Sequence, residues 1–338
     1  MQVLQNVSLK PYNTFGIDVR ATYLTEVFTI EELRQIILNN EWERVPKLIL
    51  GGGSNILFTK DFEGLVILNR MKGIQVREET DKHVWLRIMG GEVWHELVVY
   101  AIQHGWGGIE NLSLIPGLVG AAPMQNIGAY GVELEKVFDS LEAVDMETAD
   151  IKTFSKAECA FGYRESVFKK ELKGRYFILS VTLRLDKQPV LNTSYGDIKQ
   201  TLADMRVHEP NIHSVSEAVI KIRSSKLPNP AEIGNAGSFF KNPEISKEQF
   251  ESLVAQYPVM PSYPLPNGNL KIPAGWLIEQ CGWKGKQVGH TGSHAKQALV
   301  LVNYGGASGN EVKALADDIR QSVQDRFGID IVPEVNIV

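Results

Sequence analysis

Residues 116–131, Pro-Gly-Leu-Val-Gly-Ala-Ala-Pro-Met-Gln-Asn-Ile-Gly-Ala-Tyr-Gly, carry four glycines and no charged side chain over sixteen positions. A solvated loop rarely avoids charge for so long, so this run is either a buried small-residue packing segment or backbone laid along a flat or extended ligand. In the second reading Gln125, Asn126 and Tyr130 supply the directional hydrogen bonds. A shorter glycine-rich turn, Gly51-Gly52-Gly53-Ser54-Asn55, follows the strand-like Leu48 to Leu50, much as Pro116 to Pro123 follows Leu112 to Ile115. Such turns can expose successive N–H groups to a pyrophosphate, or they can be plain tight connectors. Neither G-x-G-x-x-G nor G-x-x-x-x-G-K-[ST] occurs, so a Rossmann or Walker nucleotide site has no support.

At 338 residues the chain exceeds the size at which one core keeps growing, and two or three domains of roughly 100 to 150 residues are expected. A net charge of −5, with no run of Lys and Arg, argues against a nucleic-acid partner. Cys159 and Cys281 lack metal or redox spacing and are expected to be buried small hydrophobes. Met1 to Lys10 has no basic and then apolar leader pattern, and no apolar run approaches the ~18 residues of a membrane span. A soluble cytoplasmic protein without a membrane partner is expected.

Strand and helix signals interleave from the start. Thr29 with Glu32 is a capping-box pair opening Ile30 to Leu38, and Lys47 to Leu50 reads as the strand that completes a β-α-β beginning. Leu65 to Asn69, Val84 to Met89, Leu141 to Met146 and Tyr176 to Leu185 are further strand candidates, and Glu92 to His104 is a helix closed by Gly105. The texture shifts near residues 205–214. Ser214 with Glu217 and Ser246 with Gln249 are expected to cap helices through Arg223 and through Gln256, the latter ending before Pro258. Ala298 to Asn303 reads as a strand, Val312 to Phe327 as a one-faced helix stopped by Gly328, and Ile329 to Val332 as a final strand.

The segment Gly234-Asn235-Ala236-Gly237-Ser238-Phe239-Phe240-Lys241-Asn242-Pro243 combines a hydroxyl, an ammonium and two amides on a backbone that glycine and proline keep out of helix. Ser238 is a candidate acid or nucleophile with the two phenylalanines excluding water, although a polar turn anchored by the same rings uses identical residues. Arg164, in Phe-Gly-Tyr-Arg-Glu-Ser, suits a bidentate carboxylate clamp or a surface pair with Glu165. Glu334, between Pro333 and Val335, is open in the same way. His290 and His294 have no third ligand nearby, so no metal is expected. No G-x-S-x-G elbow surrounds Ser238.

Taken in order, Lys10 to Gly16, Gly51 to Asn55, Pro116 to Gly131, Gly162 to Ser166, Gly234 to Pro243, Gln297 to Asn303 and Pro333-Glu334 resemble the UDP-N-acetylenolpyruvoylglucosamine reductase family along nearly the whole chain. Tyr195-Gly196-Asp197 makes it similar to the longer, type I branch. The resemblance implies an α+β chain with an FAD-binding fold of the p-cresol methylhydroxylase type in two domains and an α+β substrate-binding domain. Residues 1–70 would form the first FAD-binding part, with 329–338 returning to it, 71–210 the second part, and 211–328 the substrate domain.

It also implies FAD as bound cofactor and NADPH as hydride donor, with reduction of the enolpyruvyl UDP-sugar to UDP-N-acetylmuramate for peptidoglycan. Ser238 would give the proton, and Arg164 and Glu334 would act on the enolpyruvyl carboxylate and its developing enolate. Tyr130, Tyr195, Lys226, Asn242, Tyr263 and Gln297 would hold the UDP-sugar. Gly51, Gly52, Gly53, Ser54, Asn55, Ile115, Pro116, Gly117, Ala122, Gly128 and Arg223 would hold FAD. The resemblance carries no metal, and a monomer is expected. Two departures stand out. Asn336 occupies a position often basic in the family, and Ala121-Ala122 replaces hydroxyl residues, leaving only backbone for a flavin contact. An FAD-dependent alcohol oxidase and a nucleotide-binding regulator remain as alternatives.

Overall fold

In the computed structural model, which describes residues 2–338, the chain forms two compact units from discontinuous pieces. Met1–Val7, Ala21–Gly52 and Glu63–Ser225 make the first; Ser8–Arg20, Gly53–Phe62 and Lys226–Val338 make the second. Both mix helices with strands in the expected α+β manner.

In the first unit the helix Ile30–Ile37 begins with the anticipated capping box: Thr29 accepts from the N–H of Glu32, and the Glu32 carboxylate answers the N–H of Thr29. Its buried Leu33 and Ile36 face a four-stranded sheet ordered Val3–Ser8, Arg20–Val27, Phe62–Asn69, Lys47–Leu50. The last two strands run parallel, Lys47 opposite Leu65. Burial of each such aliphatic side chain contributes roughly 1.5–3 kcal/mol.

A second, antiparallel sheet has the order Ile151–Ser155, Phe138–Asp145, Tyr176–Asp186, His83–Met89, Ile74–Glu79. Its strand Tyr176–Asp186 serves two cores. Phe177 and Leu179 pack with Leu33, Ile36 and Leu65, whereas Ile178, Val181, Leu183 and Leu185 pack with the helix Trp94–Gln103. The odd positions change sides because the register shifts between Glu142 and Ala143, and one extra residue flips every side chain beyond it. A third cluster, Ile198, Leu202, Val215, Ala218, Val219 and Ile222, seats the helix Ile212–Lys226.

In the second unit Gly234–Ser238, Val300–Asn303, Thr291–Ser293 and Gln287–Val288 form an antiparallel sheet in that order. The helix Gly309–Phe327 buries Val312, Leu315, Ala316, Ile319, Val323 and Phe327, and ends at Gly328 with φ 63°. That face and that stop are those expected. The pair Ser246 and Gln249 also caps as expected, on the helix Lys247–Val254.

Four expectations are corrected. The helix Ile212–Lys226 is capped by Asn211, whose side chain accepts from Ser214 N–H while Ser214 Oγ accepts from Asn211 N–H; the reading from Ser214 and Glu217 was one turn late. The Ala298 strand starts at Val300 because Ser293 Oγ takes the Ala298 carbonyl. Ile329 to Val332 form no strand: Ile329 and Ile331 are buried, and chain pairing waits for the Phe240–Pro333 bridge and the strand Asn336–Ile337, parallel to Ile56–Leu57. Cys159 is buried, but Cys281 is partly exposed, with its thiol on the Ser322 carbonyl.

Candidate active site

The two glycine-rich turns meet in the first unit. A Cβ added to Gly52 would lie 3.0 Å from the Cα of Gly117, so backbone passes backbone with no room for a side chain. Gly117 itself has φ 113°, and its carbonyl accepts the N–H of Trp94 at 3.0 Å. The run after it is not a loop laid flat. Val119–Gln125 winds into a 3-10 helix that buries Ala122, and Gly120 N–H donates to the Gly90 carbonyl at 2.9 Å. Ile115 packs on the core of the second sheet, and Pro116 links it to Gly117. The shorter turn is divided: Gly51 and Gly52 belong to the first unit, Gly53, Ser54 and Asn55 to the second.

Near these turns stand two guanidinium groups. Arg223, in the last turn of Ile212–Lys226, has an Nε sealed from solvent with no hydrogen-bond partner. Desolvation holds its pKa down, Tyr130 acts in the opposite sense, and the like charge of Arg164 depresses it further. A buried guanidinium N–H without a partner calls for an acceptor, and an anion suits one best. Arg164 sits at φ 56° and donates from Nη2 to the Gly128 carbonyl at 2.6 Å. A Cβ on Gly128 would press within 3.0 Å of Arg164 Nη1, so glycine is what lets the guanidinium lie against the backbone. Its Cζ stands 5.2 Å from the centre of the Tyr163 ring. Tyr130, also left-handed at φ 49°, has its phenol pKa raised by burial, with Arg223 opposing. Its charge partners include Asp197 and the exposed Tyr195. Of the residues expected at the site, Gly52, Gly117, Gly128, Tyr130, Tyr195, Arg164 and Arg223 all fall in the first unit.

The second unit gathers the rest. Ser238 ends the strand Gly234–Ser238, opposite Val300, after an irregular stretch in which Gly237 takes φ 70°. The segment is thus a bulged strand rather than the polar turn that was its alternative. Phe239 and Phe240 behind Ser238 are buried, 5.1 Å apart and edge to face. Glu334 N–H donates to the Phe239 carbonyl, and Lys241 N–H to the Val332 carbonyl. Asn55 joins this arrangement through its carbonyl, which accepts both the backbone and side-chain N–H of Asn336 at 3.1 and 3.0 Å. Asn336, where a basic residue was the family habit, is here a backbone tie.

A cleft of about 390 Å³ is lined by Lys226, Asn242, Trp276, Lys284, Lys296 and Gln297, among others. Asn242 Oδ1 accepts the N–H of Ala274 at 2.9 Å, capping the helix Ala274–Gln280 whose own cap position is Pro273. A Cβ on Gly275 would reach Gln297 Oε1 at 3.0 Å. Tyr263 lies outside the lining, exposed on the short strand Tyr263–Pro264. Lys284 and Lys296, which also line the cleft, were not singled out in the sequence, Lys296 lying just before the Gln297 to Asn303 run. Lys284 pairs with Glu279 at 2.9 Å.

Comparison with known proteins agrees with this layout. The profile described as an FAD binding domain matches residues 21–155, and that of the C-terminal domain of UDP-N-acetylenolpyruvoylglucosamine reductase matches residues 229–338. The FAD-binding profile together with the reductase C-terminal profile defines an FAD-dependent oxidoreductase. Curated relatives named UDP-N-acetylenolpyruvoylglucosamine reductase include those of Amoebophilus asiaticus, 52% identical over 338 residues, and Flavobacterium johnsoniae, 49% identical over 339; all of each chain is covered. The chain belongs to the UDP-N-acetylenolpyruvoylglucosamine reductase family. The crystal structure of the Thermus caldophilus reductase shares the fold, at TM-score 0.70 and 24% identity, covering 100% of this chain and 99% of that one.

Proposed function

We propose that the protein reduces the enolpyruvyl ether of UDP-N-acetylglucosamine to the lactyl ether of UDP-N-acetylmuramate with NADPH, as a cytoplasmic monomer supplying peptidoglycan synthesis. The observation that carries this is the 52% identity to a reductase of that name over the entire length of both chains. Gly51, Gly52, Ile115, Pro116, Gly117, Ala122, Gly128 and Arg223 would hold FAD, together with Gly53, Ser54 and Asn55 of the second unit. FAD, when bound there, would supply the hydride-transfer chemistry that links NADPH to C3 of the enolpyruvyl group.

The protein's own residues would supply position and charge. Electron density moves onto the conjugated carboxylate as C3 is reduced, and Arg164 is suited to stabilise it. Ser238 would deliver the proton at C2. A hydroxyl is a weak acid, so its alkoxide needs a neighbouring cation, for which Lys241 is the nearest in sequence. Glu334 would assist only when protonated or by orienting another donor. Lys226, Asn242 and Gln297 line a cleft suited to a diphosphate, and the family resemblance also assigns Tyr130, Tyr195 and Tyr263 to the UDP-sugar. The division into 1–70 with 329–338, 71–210 and 211–328 remains our assignment of domains, open to limited proteolysis.

Anaerobic absorbance tests the reading. NADPH should bleach the flavin bands and the enolpyruvyl UDP-sugar should restore them. Bleaching without recovery, or recovery with a small alcohol's ketone instead, would replace it with the oxidase alternative.

A further inference from the structure

Two adjacent residues at the start of the helix Trp94–Gln103 pin the turn that precedes Gly117. The Trp94 indole N–H donates to the Leu112 carbonyl at 3.0 Å, the Trp94 backbone N–H to the Gly117 carbonyl at 3.0 Å, and Leu114 N–H to His95 Nδ1 at 3.0 Å. Leu114 sits at φ 57°, left-handed backbone that costs a non-glycine residue about 1–2 kcal/mol. Such a conformation persists only where neighbours hold it. A backbone N–H can only donate, so His95 Nδ1 must be the unprotonated, accepting nitrogen.

We propose that His95 is a positioning residue for the flavin, its Nδ1 holding Leu114 left-handed so that Ile115-Pro116-Gly117 is presented against Gly52. The proposal rests on the reading that this turn binds FAD. Proton gain at Nδ1 would set two donors face to face, break the latch and let Leu114 relax, carrying the turn with it.

The surroundings agree with a neutral ring. Desolvation lowers the His95 pKa, Arg223 on the helix Ile212–Lys226 lowers it further, and Glu96 beside it acts in the opposite sense. The folded state therefore disfavours imidazolium, and the latch is closed above the ordinary histidine range and opens as pH falls through the depressed value.

The test is a fluorescence titration of FAD-free protein with FAD in steps from about pH 8 down to about pH 4.5, a sweep that continues below the ordinary histidine range because the His95 value is depressed, and that leaves the diphosphate charge of FAD unchanged. Wild type should lose about tenfold in affinity on acidification, the worth of one net hydrogen bond. His95→Asn keeps an acceptor where Nδ1 stands and cannot be protonated there, so its affinity should stay flat; His95→Ala should bind weakly throughout the sweep. An equal pH response in wild type and His95→Asn overturns the proposal, as does an affinity that rises with acid, which would mean that added charge merely attracts the phosphates. Gly52→Ala, whose Cβ would lie 3.0 Å from the Cα of Gly117, serves as the separate check. Undiminished FAD binding there would remove the flavin reading of the turn itself, whereas weak binding there with normal His95 variants would remove only the latch.

Discussion

Glu334 N–H donates to the carbonyl of Phe239 at 2.7 Å, which fixes the carboxylate-bearing residue in register with the one that follows Ser238. The relationship is made by backbone alone. Substituting either side chain therefore leaves the scaffold that carries the other, and their effects can be read as chemistry.

For Ser238→Ala we expect flavin bleaching by NADPH at the normal rate, since that half-reaction needs no proton from serine. Reoxidation by substrate should slow by about 10²- to 10⁴-fold, the range of a lost general acid. Stopped-flow absorbance records both phases on one sample. Slow bleaching with normal reoxidation would assign Ser238 to the nicotinamide instead.

Arg164→Lys keeps the charge but loses the planar fork, and lysine cannot both reach the Gly128 carbonyl and clamp a carboxylate. Turnover should fall by up to about 10²-fold, comparable with removal of one preorganised donor. Steady-state kcat near that of wild type would mark Arg164 as structural.

Lys226→Ala removes a cation from the cleft that also contains Asn242 and Gln297. KM for the UDP-sugar should rise on the order of tenfold to a hundredfold, the worth of a charged hydrogen bond, with flavin content and NADPH oxidation by an artificial acceptor unchanged. Loss of flavin from the purified variant would mean that the lysine serves the cofactor.

Asp145, buried at the end of the strand Phe138–Asp145, gives an acid-stability prediction. Desolvation would raise its pKa, but the N–H of Glu147 at 2.9 Å and Arg175 Nε at 3.1 Å outweigh it, and the net shift is downward. A lowered folded-state value means the contribution is whole above the unfolded carboxyl pKa of ~3.9 and is lost as pH falls through the folded one. The loss should be on the order of 1 kcal/mol, because Arg175 is half exposed and screened. Thermal unfolding from pH 6 to pH 3 should show a shallower acid limb for Asp145→Asn than for wild type.

Local chemistry made much of this fold legible. The capping box of Thr29 and Glu32, the stop at Gly328 and the extended run Lys47–Leu50 depend on residues within a few positions of one another, and all appear as expected. What escaped depends on distant partners. Ile329 and Ile331 look like a strand because they are buried, yet no neighbour offers them a ladder. The cap of the helix Ile212–Lys226 lay one turn earlier, since asparagine and serine can each fill that role. At the candidate site, the glycine-rich turns were legible as turns, while the burial of Arg223 Nε and the hydrogen bond from Leu114 N–H to His95 arise only when remote segments fold together.

The interleaved make-up of the two units bears on how the protein is made. Ser8–Arg20 and Gly53–Phe62 belong with Lys226–Val338, and the strand Ile56–Leu57, buried in the finished protein, pairs with Asn336–Ile337. A chain leaving the ribosome from its N-terminus thus displays Ile56 and Leu57 long before their partner exists. The nascent protein must keep an apolar edge unspent through most of its synthesis, and that interval is when it most needs a chaperone's cover.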